Sequence, residues 1–281
     1  MTQQQHIWMC PVCQQALRLV DRQFLCAEGH SFDVAREGYV NLVLAHQRSS
    51  SQAGDPPDSL RQRRLFLEAG YYEALANRVI EMVTSHLEGH VLDVGCGEGY
   101  LLRRLQTAAV AQGGNDAQPT RVAQFHGVDI SREGVRMGAR MSEAIAFAVG
   151  NAYRLPVQAD SVRLCLVMMA PREGAEIQRV LAADGILLCV TPGEGHLANF
   201  RKLVYNDARP HTPVEVPAGF HVVSEEPVSF PLNLTSKESV SQLLEMTPYK
   251  WHMDPETYQR VRGVESLTDT ADFTVQLLRR A

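Results

Sequence analysis

"VLDVGCGEGY", residues 91–100, is the stretch on which the reading of this chain turns. It begins as an apolar strand carrying one acid, Asp93. Glycines follow at 95, 97 and 99, and a helical pattern, "YLLRRLQTAAV", opens at Tyr100. Glycine lets a backbone turn sharply and pass close to a ligand. The helix start behind it offers unpaired N–H groups and the positive end of a dipole. Outward from this loop, apolar runs alternate with helical ones. "HVLDVG", "QFHGVDI", "IAFAVGN", "VRLCLVMM" and "GILLCVTP" read as strands. "REGVRMGARMSEA" and "EGAEIQRVLAA" between them read as helices. Such alternation predicts an α/β fold, a parallel sheet wrapped by helices.

Two cofactor classes use a loop of this kind. Dinucleotide enzymes need G-x-G-x-x-G, with an acid about 20 positions further on. Here Tyr100 stands where the third glycine of that pattern belongs. The arrangement D-x-G-x-G-x-G resembles instead the S-adenosylmethionine loop of class I methyltransferases, which makes the expected sheet Rossmann-like. That resemblance implies an acid for the ribose hydroxyls at the end of the next strand, where Asp129 stands in "GVDIS". Asn151, ending "AFAVGNA", would face the adenine. Each feature has a plainer reading: a tight strand–helix turn, or a helix N-cap. In register at successive strand ends, they mark the edge where open α/β sheets bind ligands. Cys96, inside the loop, reads as a small packing residue.

The N-terminal region carries different chemistry. "CPVCQQALRLVDRQFLCAEGH" spaces Cys10 and Cys13 two residues apart, and Cys26 and His30 three apart, with twelve residues between the pairs. "ALRLV" and "QFLCA" read as a hairpin about Asp21-Arg22, which would bring the pairs together. Three thiolates and one imidazole complete a closed tetrahedral zinc shell, a structural rather than catalytic arrangement. A redox Cys-x-x-Cys lacks the helix start it normally occupies, isolated thiols would not cluster, and His6 fits the ligand spacing less well than His30. So short a unit needs the metal to fold locally. Residues 1–44 are expected to form this small zinc-binding β domain, 45–57 a linker rich in Ser, Pro and Gly ("HQRSSSQAGDPPDSL"), and 58–281 the cofactor-binding domain. Helices are expected from about Asp58 and across Tyr72–Leu87. Towards the C-terminus, "FHVVSEEPVSFPLNL" and "ADFTVQLLRR" read as strands, and Thr235 with Glu238 as a capping box before a helix that Pro248 ends.

The 281 residues give 45% hydrophobic and 21% charged content with a net charge of −5, globular values that argue against a protein gripping duplex DNA through phosphates alone. No apolar run approaches the roughly 20 residues of a membrane span, and the N-terminus lacks a basic-then-apolar leader. The expectation is a cytoplasmic protein without a membrane partner, whose six cysteines are reduced.

The whole chain resembles the 23S ribosomal RNA guanine-N1 methyltransferase family. The likeness rests on "CPVC…CAEGH", "FDVAREGYVNL" (32–42), "GDPPDSLRQRRLFLEAGYY" (54–72), "LDVGCGEGY" (92–100), "TPGEGHL" (191–197) and "LLEMTPYKW" (243–251). It departs at Gln14, where many zinc knuckles place glycine. The resemblance implies a zinc-ribbon-like RNA-recognition domain joined to an S-adenosylmethionine-dependent methyltransferase domain, and a homodimer. It implies methyl transfer to N1 of a guanine in a 23S rRNA hairpin. It also implies cofactor contacts at Tyr72, Gly97, Glu98 and His196, joining Asp93, Gly95, Gly99, Asp129 and Asn151 of the glycine-loop reading. Taken alone, Tyr72 would read as a core aromatic and His196 as a helix-start residue. Two alternatives stand beside this: a small-molecule methyltransferase with a structural zinc, and a non-catalytic zinc-ribbon RNA-binding protein.

Guanine N1 carries a proton, so a base or strong acceptor should help remove it. Glu173 and Asp33 are the candidates, with Glu37 and the carbonyls near Ala170–Pro171 beside them. Glu173 also fits a solvated helix start. Tyr39, Tyr71, Tyr153 and Trp251 are candidate stacking rings for an exposed base. Arg48, Arg61, Arg63 and Arg64 are candidate phosphate contacts. The zinc unit itself has one acid in excess (Arg18, Arg22 and Arg36 against Asp21, Glu28, Asp33 and Glu37), which favours recognition by RNA shape over bulk charge.

Overall fold

The computed structural model describes residues 6–44, 54–112, 123–205 and 207–281. Residues 45–53 of the expected linker, with Arg48, lie outside it.

The N-terminal hairpin forms as expected. β1 (Arg18–Val20), β2 (Gln23–Leu25) and β3 (Ser31–Asp33) make a three-stranded antiparallel sheet. Asp21 and Arg22 both take positive φ (52° and 92°), the twist a two-residue hairpin turn needs. β4 (Val40–Asn41) leaves this unit and pairs in parallel with β7 (Ile145–Val149) at the edge of the main sheet. Residues before the hairpin are also built in: Met9 donates its N–H to Pro156, and Gln158 donates to Ile7. Ile7, Trp8, Leu17 and Phe24 share one buried layer with Leu92, Val128 and Val157. The N-terminal unit and the large sheet therefore have a common core.

That sheet has eight strands in the order β10-β11-β9-β8-β5-β6-β7-β4. β5 (His90–Val94), β6 (Gln124–Asp129), β7, β8 (Val162–Met168) and β9 (Leu181–Pro192) run parallel. They are nearly continuous apolar runs because both faces are covered, one by helices and the other by the N-terminal unit, Leu155, Val157 and the helical segment around Ile177 and Val180. β11 (Leu267–Arg280) is antiparallel to β9 and to β10 (Phe220–Leu234). β10 alternates half-buried and exposed residues over most of its length and carries Glu225, Glu226, Pro227 and Pro231, all features of an edge strand that discourages further pairing.

The helices are α1 (Pro57–Glu68), α2 (Glu73–Val83), α3 (Tyr100–Gln112), α4 (Arg132–Met141), α5 (Gly174–Val180), α6 (Ala198–Val204), α7 (Lys237–Met246) and α8 (Pro255–Arg262). Two local expectations are corrected. The cap of α7 is Ser236 with Ser239, one residue later than Thr235 with Glu238, because the Ser236 hydroxyl accepts from the Ser239 N–H while Ser239 Oγ accepts in return. α5 stops at Val180, since Leu181 already pairs with Val162.

Glycines bring α4 onto the loop after β5. A Cβ on Gly134 would stand 2.9 Å from the Gly97 carbonyl. One on Gly138 would stand 2.8 Å from the Phe147 ring and 3.1 Å from the Glu98 carbonyl. Backbone and a buried ring cannot yield there. Gly138→Ala should therefore destabilise the fold by about 1–3 kcal/mol despite alanine's better helix propensity, a loss read directly by urea denaturation.

Candidate cofactor cleft and metal centre

β5 ends at Val94, and the chain turns through Gly95, Gly97 and Gly99 at φ 75°, 56° and 74°. The Gly95 and Cys96 N–H groups both donate to the Val128 carbonyl on β6, at 2.8 and 3.2 Å. Asp129, the last residue of β6, closes the turn. Its Oδ2 accepts from Gly97 N–H at 2.8 Å and its Oδ1 from Ser131 N–H at 2.7 Å. Burial holds its carboxyl above the usual range, against the pull of those two donors. Asp93 is buried below the loop. Desolvation, with the nearby Asp129 charge, pushes its carboxyl up to about 7. Cys96 points at Gly127, where a Cβ would meet its Sγ at 2.8 Å, so it packs as expected, and burial raises its thiol. The loop after β8 covers the first glycine: a Cβ on Gly95 would lie 2.4 Å from that of Ala170. Glu98 turns inward and pairs with Arg103 at 2.7 Å, leaving its Oε1 buried without a partner. This cradle fits a polar, ribose-bearing ligand: Ala170 and Phe147 pack against Gly95 and Gly99, Gly97 is left open, and the Asp129 carboxylate stands beside it.

Asn151 lies one residue past Gly150, whose N–H donates to the Asp129 carbonyl at 2.9 Å. Its Oδ1 accepts from Tyr153 N–H, and the residue faces Leu42, Met9 and Pro11 of the N-terminal unit. Tyr72 and His196 form a second group. Their rings lie 6.3 Å apart in a cluster with Phe66, Phe230 and Phe273. His196 Nδ1 accepts the Asp272 N–H at 3.2 Å, which leaves the ring proton on Nε2. Burial, assisted by neighbouring His211, pulls its pKa down to about 3, so this imidazole is a neutral donor and no base. Among the described residues no hydrogen bond joins the two groups.

The metal ligands converge. Cys10, Cys13, Cys26 and His30 place their donor atoms within 4.8 Å of one another. Cys13 and Cys26 sulfurs are 3.6 Å apart, and His30 Nδ1 lies 3.3 Å from Cys26 Sγ and 3.8 Å from Cys10 Sγ. A tetrahedral ion with Zn–S bonds of about 2.3 Å would set its ligands about 3.8 Å apart. Three sulfurs and one ring nitrogen at these distances fit zinc, with no position left for substrate. Desolvation would raise the Cys26 thiol, but the His30 amide and its other donors prevail and bring it down to about 7. Gln14 takes φ 62° and donates its N–H to Cys10, so the knuckle turn closes without glycine.

The three candidate carboxylates each have local partners. Glu173 caps α5, accepting from Ala175 N–H at 3.4 Å, and lines an open groove of about 540 Å³ with Arg172, Gln178 and Pro217. Asp33 is exposed on β3 and accepts from Gln23. Glu37 is paired with Arg140 at 3.0 Å. Of the candidate rings, Tyr39 is buried under Arg132 and Tyr71 stacks on Phe66, whereas Tyr153 and Trp251 are exposed. Arg61 pairs with Asp58, and Arg64 with Glu68. Three residues at the cleft escaped the sequence reading: Asp55, Ser131 and His211. Only Ser131, following a strand-end acid and beginning α4, carried a signal, that of an N-cap.

Asp93 is protonated in the fold up to about pH 7, whereas an unfolded aspartate ionises near pH 3.9. Its contribution to stability is thus complete below about pH 4 and is lost as pH rises to about 7. Asp93→Asn should lose less stability than the wild type between about pH 4 and 7 in urea denaturation. Equal loss in the two proteins contradicts the assignment.

Comparison with known proteins agrees with this geometry. The zinc-ribbon family model described as "RlmA, N-terminal" matches residues 8–51, and the family described as "Methyltransferase domain" matches residues 85–245. The 23S rRNA (guanine(748)-N(1))-methyltransferase of Streptomyces fradiae is 31% identical over 280 residues, 95% of each chain. A Micromonospora griseorubida protein, provisionally named for 23S rRNA guanine-N1 methylation, is 34% identical over 88% of this chain and 87% of its own. YxjB of Bacillus subtilis strain 168, named in the same provisional way, is 27% identical over 96% of this chain and 95% of its own. With matches spanning the metal cluster and the glycine loop alike, the chain belongs to the 23S rRNA (guanine-N1) methyltransferase family.

Proposed function

We propose that this protein transfers a methyl group from S-adenosylmethionine to N1 of a guanine in a hairpin of 23S ribosomal RNA. We assign Asp93, Gly95, Gly97, Glu98, Gly99, Asp129, Asn151, Tyr72 and His196 to the cofactor site, and Cys10, Cys13, Cys26 and His30 to a structural zinc. The observation that carries the reading is the coexistence, in one core, of a closed Cys3His cluster and a glycine turn latched by a strand-end acid.

When bound, the cofactor supplies an electrophilic methyl group on its sulfonium. The chain's own residues hold and orient. Asp129 keeps its carboxylate beside the glycine turn, ready to accept ribose hydroxyls in addition to the Gly97 and Ser131 N–H groups. His196 offers the neutral Nε2–H donor described above. The loop Met169–Pro171 stands over Gly95, and its carbonyls are the acceptors we place nearest the guanine N1 proton. Met169 sits there at φ 50°, a backbone conformation that costs a non-glycine residue about 1–2 kcal/mol and marks a shaped loop end. Excluding water and aligning N1 with the methyl group account for the remainder of the catalysis.

The zinc unit (1–44) is assigned to RNA recognition, and the region from 58 to 281 to methyl transfer, in a cytoplasmic homodimer. No described helix is long and apolar enough to cross a membrane. Tyr153 and Trp251, the exposed rings, are the candidates for stacking on an RNA base.

Three outcomes test this. Purified protein given radiolabelled S-adenosylmethionine and unmodified 23S rRNA should place label on guanine N1; label confined to other nucleotides or to small molecules contradicts it. Asp129→Ala should weaken cofactor binding by about 10- to 100-fold, the value of charge-assisted hydrogen bonds. Cys26→Ser, or zinc removal by a chelator, should abolish rRNA methylation while calorimetric binding of S-adenosylmethionine largely survives.

A further inference from the structure

The segment from Gly54 to Arg63 crosses the cofactor cleft. At one end, the Asp55 carbonyl accepts from Ser131 Oγ at 3.2 Å, and Gly54, at φ 88°, packs so closely that a Cβ would stand 2.8 Å from that of Ser131. At the other end, Arg63 reaches over the glycine loop. Its Nη1 lies 3.7 Å from where a Gly97 Cβ would stand. Its Nη2 donates to the Met246 carbonyl at 3.1 Å and pairs with Asp55 at 2.5 Å. The guanidinium is also close enough to Asp129 to stabilise its charge.

We propose that Arg63 receives the carboxylate of the cofactor's amino-acid arm, and that Asp55 holds the guanidinium in place until that carboxylate arrives. This rests on the reading of the cleft as an S-adenosylmethionine site.

Asp129 and Asp55 flank the glycine turn, with Glu98, paired with Arg103, and Asp93, neutral up to about pH 7, behind them, so a further carboxylate entering there is repelled unless a cation meets it. The cofactor has a single anionic group, at the end of its amino-acid arm, which extends away from the ribose that Asp129 receives. The other arginines around the cleft are engaged elsewhere: Arg103 with Glu98, Arg64 with Glu68, Arg136 with Glu133, and Arg132 with the Tyr39 hydroxyl. Arg63 alone among them stands over Gly97, and its Nη1 has no hydrogen-bond partner among the described residues. A guanidinium binds a carboxylate through two parallel N–H groups, and Nη1 and Nη2 form such a fork. Of the two partners of Nη2, the Met246 carbonyl can stay in place, while the half-exposed Asp55 carboxylate is the one displaced, at little cost. An RNA phosphate is the competing ligand, but Arg63 is half-buried and turned towards the loop, whereas Arg61 on the same helix points outward.

The test is calorimetric titration of the full-length wild type, Arg63→Gln and Arg63→Lys with two probes. S-adenosylmethionine carries the amino-acid arm; 5′-methylthioadenosine lacks it. Arg63→Gln should weaken the first by about 10- to 100-fold and the second by less than about twofold, with Arg63→Lys in between. Equal weakening of both probes would make Arg63 a prop of the cleft, and no weakening of either would make it a surface or RNA-binding residue; each overturns the proposal. A wild type that binds neither probe would instead overturn the cofactor reading itself, and this assignment with it.

Discussion

The Asp129 carboxylate, accepting one N–H from Gly97 and another from Ser131, is the contact around which the cleft is built. It ties the end of β6 to the turn after β5 and so determines where the glycines stand. Because the turn is pinned there, α4 can approach it with Gly134 and Gly138 facing its carbonyls, and the start of α1 can close over it through Ser131. The geometry carries an electrostatic cost. Asp93, Glu98 and Asp129 are carboxyl groups raised chiefly by burial, gathered around one turn. Such crowding is unfavourable for folding alone and is understandable in a site that receives a ligand bearing hydroxyls and positive charge.

The N-terminal unit adds a second constraint. Its metal ligands come from two knuckles joined by a hairpin, while the segments before and after that hairpin run into the main sheet through Ile7, Met9, Val40 and Leu42. Trp8 covers His126, which burial keeps neutral far below the ordinary histidine range and which shares a 3.0 Å contact with His90. The metal cluster thus adjoins the buried layer that joins this unit to the sheet, since Cys10 and Cys26 lie in that layer with Leu92, Val94 and Val128.

Much of this architecture was legible in the sequence. The strands from β5 to β9 were readable because their continuous apolar runs, with Asp93, Asp129 and Asn151 at or near the strand ends, leave little choice of face or register. The metal ligands were readable from spacing alone. Contacts between residues distant in sequence were not. Nothing local reveals that Asp55 lies on Ser131, that Arg63 spans to Gly97, or that Val40 pairs with Ala148, since each depends on how the sheet brings separate segments together. The α7 cap was misplaced by one residue because Thr235 and Ser236 are equivalent by residue type, and only the backbone turn selects between them. Tyr72 and His196 were assigned by resemblance; their burial shows why pattern alone favoured a core role for both.

Methylation at guanine N1 blocks the Watson–Crick edge, so reverse transcriptase stops at the modified nucleotide. The most direct measurement is therefore primer extension on 23S rRNA from cells lacking this protein, compared with cells that carry the wild type or Asp129→Ala. The account predicts a stop at one hairpin guanine that disappears without the protein, returns with the wild type and does not return with the variant. A pattern of stops identical in all three strains would contradict it.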